Sequence, residues 1–171
     1  MTCYQAMVSD LCEKMISEQL PYKDTILLGD NSSGKSDVLK GVIENSDRQK
    51  YYFIDAVNRE FDVKQISFKK EKIAYSSEIN DTRLSEDIFN HKDSFYYRGT
   101  PRAIEDFYFN YKDRLEKLMQ NFLRIEFEVK QELTGAVVYV NDERFILSSG
   151  YQALIRIFLE ILYYEDTMHE G

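Results

Sequence analysis

Apolar residues recur at helical spacing along positions 2–19, where Met7, Leu11, Met15 and Ile16 share a face, and Pro21 ends the pattern. This predicts an amphipathic helix lying on a sheet. Thr25-Ile26-Leu27-Leu28 then reads as a short strand, Ser36 to Ile43 as a helix, and Tyr51-Tyr52-Phe53-Ile54 as a second buried strand closing on Asp55. Strand, helix and strand in that order open a parallel α/β sheet. Further on, Ile104, Phe107, Tyr111, Leu115, Leu118 and Phe122 return every three or four residues and predict one long helix over 102–123 with an aromatic stripe facing the core. Ile125, Phe127 and Val129 alternate with charged residues as a half-exposed strand. Residues 136–140 pair with 144–147 across Asn141-Asp142 as an antiparallel hairpin, and Ala153 to Tyr164 is an apolar helix. Between 64 and 99 helical and irregular pieces are mixed, and Lys69-Lys70-Glu71-Lys72 reads as a solvated charge cluster. No repeat, low-complexity tract or linker interrupts the pattern, so a single domain over 1–171 is expected.

Composition narrows the function classes. At 171 residues and 43% hydrophobic, the chain suffices for one core. A formal net charge of −8 gives no general footprint for nucleic acid or an anionic membrane, so contact with nucleic acid is expected to be indirect at most. No apolar run has the length of a membrane span, and the first residues lack the form of a secretory signal, which predicts a cytoplasmic protein. Cys3 and Cys12 match no metal-ligand spacing and read as reduced thiols. His91 and His169 have no neighbouring partners in sequence and read as surface residues.

The chemistry concentrates first in Gly29-Asp30-Asn31-Ser32-Ser33-Gly34-Lys35-Ser36, between the first strand-like run and the second helix. Gly, four residues, then Gly-Lys-Ser is what a triphosphate asks of a polypeptide. Two glycines let the backbone fold into a nest of N–H groups around the β-phosphate, and the next helix offers its positive end. Lys35 then reaches the β- and γ-phosphates, and the Ser36 hydroxyl ligates Mg²⁺. The expected cofactors are ATP and Mg²⁺.

A second motif, Leu147-Ser148-Ser149-Gly150-Tyr151-Gln152, stands between the hairpin and the last helix. It resembles the Leu-Ser-Gly-Gly-x-Gln signature of the ABC-type ATPases. With the Walker A loop it resembles the branch that includes SMC-type repair ATPases and bacterial ABC-like AAA proteins, often found with nucleases or in phage defence. The resemblance implies a P-loop NTPase fold with an ABC-like mixed sheet, helices and an antiparallel hairpin. It also implies a homodimer that sandwiches ATP, the signature of one protomer capping the γ-phosphate held by the other. Carried over, Ser148, Ser149, Gly150 and Gln152 contact that nucleotide, with the dipole of the final helix behind them. The same serines also suit the N-cap of that helix.

Two departures from the family qualify the expectation. Residues 1–20 read as helix where such proteins begin with a strand pair. No apolar strand ending in Asp-Glu follows the signature before Gly171, so the chain is expected to be shortened at its C-terminus and to bind ATP with little or no hydrolysis. Asp55, after four apolar residues, is a candidate Mg²⁺ ligand. Glu60 and Gln65 lie near where the family's glutamine loop would follow, and Gln65 is a candidate to contact Mg²⁺ or the attacking water. A GTPase is disfavoured, since no glycine has Asp three positions earlier and Asn90-His91-Lys92-Asp93 has the wrong order for guanine. Two alternatives stay open. One is a small-molecule kinase with Asp55 as base and Arg98 or Arg102 as lid residues. The other is a nucleotide-gated interaction module controlling an effector such as a nuclease.

Overall fold

The computed structural model describes residues 2–17, 25–28, 30, 34–46, 51–54, 61–72, 76–85 and 104–168. The architecture is mixed α/β, with five helices and a three-stranded antiparallel sheet among the described residues. The chain divides into two compact units, Met1–Tyr51 and Tyr52–Gly171.

In the first unit, α1 (Cys3–Ile16) begins where Thr2 and Gln5 close a capping box, each side chain bonding the other's backbone N–H at 3.2 and 2.9 Å. Its partner is α2 (Lys35–Asn45). The two meet through Cys12, Val38 and Val42, with Val8, Leu11, Met15, Ile16, Leu27 and Tyr51 around them. Gly41 permits the close crossing, because a Cβ there would lie 2.7 Å from Cys12 Sγ. The expected seat of α1 on a sheet is therefore a seat on a helix. Met7 lies outside it at 49% exposure, while Cys12, at 6%, donates its thiol proton to the Val38 carbonyl. Leu27 turns inward while Ile26 and Leu28 are exposed, an alternation of strand type. Residues 25–28 nevertheless have no ladder partner among the described residues.

The second unit is built around α4 (Tyr108–Leu123), which follows a 3₁₀ turn at Ile104–Phe107, and α5 (Ser149–Met168). The sheet lies against them: β1 (Phe127–Glu132), β2 (Gly135–Val140) and the short β3 (Glu143–Arg144), in that order. β1 pairs with β2 from Phe127 opposite Val140 to Glu132 opposite Gly135. Asn141 and Asp142, at φ of 51° and 63°, make the predicted tight turn into β3. Phe127 and Val129 point into the core, and Glu128 and Lys130 do not, so the period of two decides which face is buried. The Val129 N–H donates to the buried Tyr108 hydroxyl at 3.1 Å, giving a backbone donor of β1 a partner on α4.

The core joins Ile104, Phe107, Tyr108, Tyr111, Leu115 and Met119 to Phe127, Val129 and Val138 and to Ile155, Leu159, Leu162 and Tyr163 of α5. Each such side chain removed from water stabilises the fold by about 1.5–3 kcal/mol. The predicted helical stripe is right through Leu118, which packs half-buried against the core, but Phe122 is 70% exposed and rests on Phe158 instead. Tyr111, Leu115 and Met119 keep a four-residue step on the inner face, and Phe122 falls outside that line.

Smaller pieces complete this unit. The α3 helix (Ser76–Arg83) and the 3₁₀ turn Val63–Gln65 flank the core. In the predicted charge cluster, Lys69, Lys70 and Lys72 are exposed, but Glu71 is fastened: Asn110 accepts from its N–H and donates to its carbonyl, both at 2.9 Å. Residues 51–54 are not a strand. At Phe53 the backbone is satisfied by side chains of α3, the N–H donating to Asn80 Oδ1 at 2.8 Å and the carbonyl accepting from Arg83 at 2.7 Å. The parallel sheet predicted from the N-terminal half is absent among the described residues.

Candidate functional site

Within the predicted phosphate loop, Asp30, Gly34, Lys35 and Ser36 are described, while Gly29, Asn31, Ser32 and Ser33 lie outside the described residues. Gly34 has φ +83° and ψ 14°, the left-handed conformation that glycine adopts at least cost, and α2 begins on the next residue. Its carbonyl accepts from the Val38 N–H at 3.1 Å and closes the first helical turn. Lys35 folds back along the loop, its Nζ donating to the Asp30 carbonyl at 2.6 Å. That partner is a neutral main-chain oxygen, and a phosphate would form a stronger, charge-assisted bond with the same ammonium. Ser36 is the second residue of α2. The geometry is that of a bend feeding an open helix N-terminus, with a cation drawn across it.

The rim of this bend includes Tyr4. Its hydroxyl donates to Asp37 Oδ2 at 2.7 Å, and this bond to the carboxylate holds the hydroxyl pKa above its usual value. A Cβ on Gly34 would lie 1.9 Å from the same hydroxyl, so a side chain at position 34 would meet the left-handed φ and would also have to push the exposed Tyr4 ring aside.

In the second unit, the Leu147–Gln152 motif forms the start of α5. Ser148 is the cap: its Oγ accepts from the Tyr151 N–H at 3.4 Å and its carbonyl from the Gln152 N–H at 3.0 Å. Leu147 is buried, whereas Ser148, Ser149 and Gly150 are exposed. Gly150 differs in kind from Gly34, because among the described residues a Cβ there would meet nothing nearer than Ser148 Oγ at 3.9 Å. Glycine in a helix costs about 0.5–1 kcal/mol relative to alanine, and nothing in the surrounding packing requires it at this position. Gln152 faces inward. Its Nε2 donates to the Leu147 carbonyl at 3.0 Å, and its Oε1 accepts from the Phe61 N–H at 3.3 Å.

The structure brings Gln152 and the neighbourhood of Gln65 together. Asp62, next to Phe61, caps the 3₁₀ turn by accepting from the Lys64 N–H at 3.0 Å and from Gln65 Nε2 at 3.1 Å. Gln65 is thus held beside the segment that Gln152 grips. Asp55, Glu60, His91, Arg98, Arg102 and His169 lie outside the described residues.

Sequence reasoning missed a buried polar cluster. Glu160 accepts from Arg83 at 2.7 and 3.1 Å and from the Tyr52 hydroxyl, and Arg156 Nε lies 3.8 Å from the same carboxylate. Glu105, also buried, accepts from the Asp62 N–H at 3.2 Å. Burial opposes the Arg83 charge, but Glu160 and Tyr52 more than offset it, so its pKa lies above the ordinary value. Burial and the Glu160 charge push the Tyr52 hydroxyl well up as well. Burial raises the Glu105 carboxyl, against the pull of Arg156 and two backbone N–H groups. The one available signal was polar Gln152, Arg156 and Glu160 at four-residue spacing in an apolar helix.

Among the described residues no helix is long and apolar enough to cross a membrane. No protein-family model, curated protein or solved structure matches the chain.

Proposed function

We propose that the chain is the ATP-binding domain of an ABC-like ATPase, holding Mg-ATP on Gly29–Ser36 and using Ser148–Gly150 on a nucleotide bound by a second copy. The observation that carries this reading is the left-handed Gly34 leading directly into α2, with Lys35 drawn across the bend onto the Asp30 carbonyl. The backbone N–H groups at the start of α2 and the Lys35 ammonium are suited to a polyphosphate, and Ser36 would hold the Mg²⁺ that neutralises it. At the other motif, support comes from an exposed glycine, uncrowded among the described residues, at the start of a 20-residue helix. A side chain there would obstruct a phosphate approaching the helix end, which is a reason for glycine that packing does not supply. On this reading ATP joins two protomers, and the joined state controls an effector such as a nuclease.

Calorimetric titration of Mg-ATP into the chain and into Lys35→Ala, with GTP as competitor, tests the nucleotide site. Binding by the unaltered chain and its loss in the variant are expected. Equal binding by both would exclude the loop, and no binding by either would remove the proposal. Sedimentation with intact Mg-ATP then tests assembly: a dimer is expected for the unaltered chain and a monomer for Ser148→Arg.

A further inference from the structure

Gln152, Arg156 and Glu160 leave α5 on adjoining positions of one face, spread over about 12 Å of helix axis. This face is inward, with Arg156 6% and Glu160 1% exposed. Each rung holds a different piece of the second unit. Gln152 bonds Leu147 and Phe61. Arg156 Nε lies 3.8 Å from Glu160 and its charge acts on Glu105, and Glu105 holds the Asp62 N–H. Glu160 binds Arg83 and Tyr52, and Arg83 with Asn80 holds both backbone groups of Phe53.

Several of these bonds end on main-chain groups: the carbonyls of Leu147 and Phe53 and the N–H groups of Phe61, Asp62 and Phe53. That distinguishes the ladder from ordinary packing. Buried ion pairs are often no more stabilising than well-packed apolar side chains of similar volume, so stability alone does not account for the buried and half-buried polar side chains gathered here. Directional bonds, unlike apolar contacts, fix where a backbone segment lies.

We infer that Gln152, Arg156 and Glu160 are positioning residues, a rigid relay that couples the exposed start of α5 to the segments at Tyr52–Phe53 and Phe61–Gln65. The inference rests in part on the proposed function, since a phosphate capped by Ser148–Gly150 is the event the relay would transmit. Its mechanical core does not depend on nucleotide. A shift of α5 at Gln152 is expected to move Phe61 through their hydrogen bond and, because the same helix carries Arg156 and Glu160, to move Phe53 through Arg83.

Hydrogen exchange read by mass spectrometry on the whole chain separates a relay from separate local bonds. The variants are Gln152→Leu, which cuts the first rung, and Gln152→Glu, which keeps an acceptor for Phe61. Without nucleotide, Gln152→Leu is expected to speed exchange about tenfold in the 61–65 peptide, equivalent to about 1.4 kcal/mol of local opening. A several-fold rise is expected in the 51–54 peptide, while α4 amides around Leu115 stay unchanged and Gln152→Glu restores most of the protection. A change confined to 61–65 would overturn the relay, and so would an equal rise in α4, which would mean general loosening. Should Gln152→Leu fail to fold by circular dichroism, Arg156→Met cuts the middle rung and must give the same rise at 51–54 with 148–152 unaffected. Adding Mg-ATP to the unaltered chain should slow exchange at both segments. If ATP protects nothing anywhere, the proposed function fails while the nucleotide-free comparison still decides the relay.

Discussion

Replacing Arg83 by methionine should be among the costliest single changes in the second unit. The side chain is 3% exposed and makes two bonds to Glu160 and one to the Phe53 carbonyl. Arg83→Met keeps most of the volume but leaves Glu160, itself 1% exposed, with the Tyr52 hydroxyl and an Arg156 nitrogen 3.8 Å away as its partners among the described residues. Breaking a buried pair from one side costs about 3–5 kcal/mol, because the surviving charge stays desolvated. At about 3 °C per kcal/mol for a domain of this size, Tm should fall by about 10–15 °C. Removing the second partner should then help. In Arg83→Met/Glu160→Met both charges of the pair go together, Arg156 keeps its attraction to Glu105, and the residual deficit is the lost bonds to the Phe53 carbonyl and from the Tyr52 hydroxyl, about 1–3 kcal/mol each. The double variant is therefore expected to be no less stable than Arg83→Met alone and well above the sum of the two single changes. Urea denaturation followed by circular dichroism at 222 nm, with the four proteins compared at one pH, measures this. An Arg83→Met cost under about 1 kcal/mol, or simple additivity in the double variant, would refute the account of the cluster as a mutually dependent unit.

Three further outcomes follow from particular atoms. Gly34→Ala should destabilise the start of α2 by about 1–2 kcal/mol from the left-handed φ, and the new Cβ should displace the Tyr4 hydroxyl from Asp37; faster α2 exchange that is partly relieved in Gly34→Ala/Tyr4→Ala checks this, and no relief would count against the clash. Gly150→Ala should raise stability by about 0.5–1 kcal/mol, since the Cβ makes an ordinary contact with Ser148 Oγ at 3.9 Å and no clash among the described residues, yet abolish Mg-ATP-dependent dimerisation in sedimentation; a dimer at normal nucleotide concentration would argue against the signature role. Glu105→Gln keeps an acceptor for Asp62 and removes a carboxyl whose folded pKa is raised above 4.5 by burial. Because the folded protein holds that proton longer than the unfolded chain, wild-type stability falls as pH rises through the interval above 4.5, so the variant should gain on the wild type from acid towards neutral pH in urea titrations. A gain that is constant with pH would refute the burial cause.

What the sequence showed and what it hid divide along the range of the forces involved. The helical stripes, the Asn141-Asp142 turn and the cap at Ser148 are encoded within a few residues, and each was readable from spacing or from a φ requirement. The bend at Gly34 belongs with them, since the conformation the motif demands is local to one residue. Phe53 was misread because four apolar residues in a row promise a strand only if another strand supplies the hydrogen bonds; here Asn80 and Arg83, 27 and 30 residues away, supply them instead. Nothing near Tyr52 or Arg83 in sequence indicates that their partner is Glu160, 108 and 77 residues on.

The last helix shows how one sequence can carry both kinds of information. At about 100° per residue, Ile155, Leu159 and Leu162 fall in one narrow arc, which is the apolar stripe that periodicity detects. Gln152, Arg156 and Glu160 fall in the adjoining arc, and Ile157 and Ile161, 41% and 47% exposed, lie opposite. The buried surface of α5 is therefore wider than its apolar stripe. Judged by hydrophobicity alone, the polar arc would be assigned to water and the isoleucines to the core. The structure reverses that assignment because Arg83, Glu105 and the backbone of Phe61 provide the partners that make burying the polar arc affordable. Exchanging the two arcs, by placing leucine at 156 and 160 and arginine and glutamate at 157 and 161, would give a helix of better amphipathicity that strands Arg83 and Glu105. It should be less stable in this protein by at least the cost of one broken buried pair, about 3–5 kcal/mol.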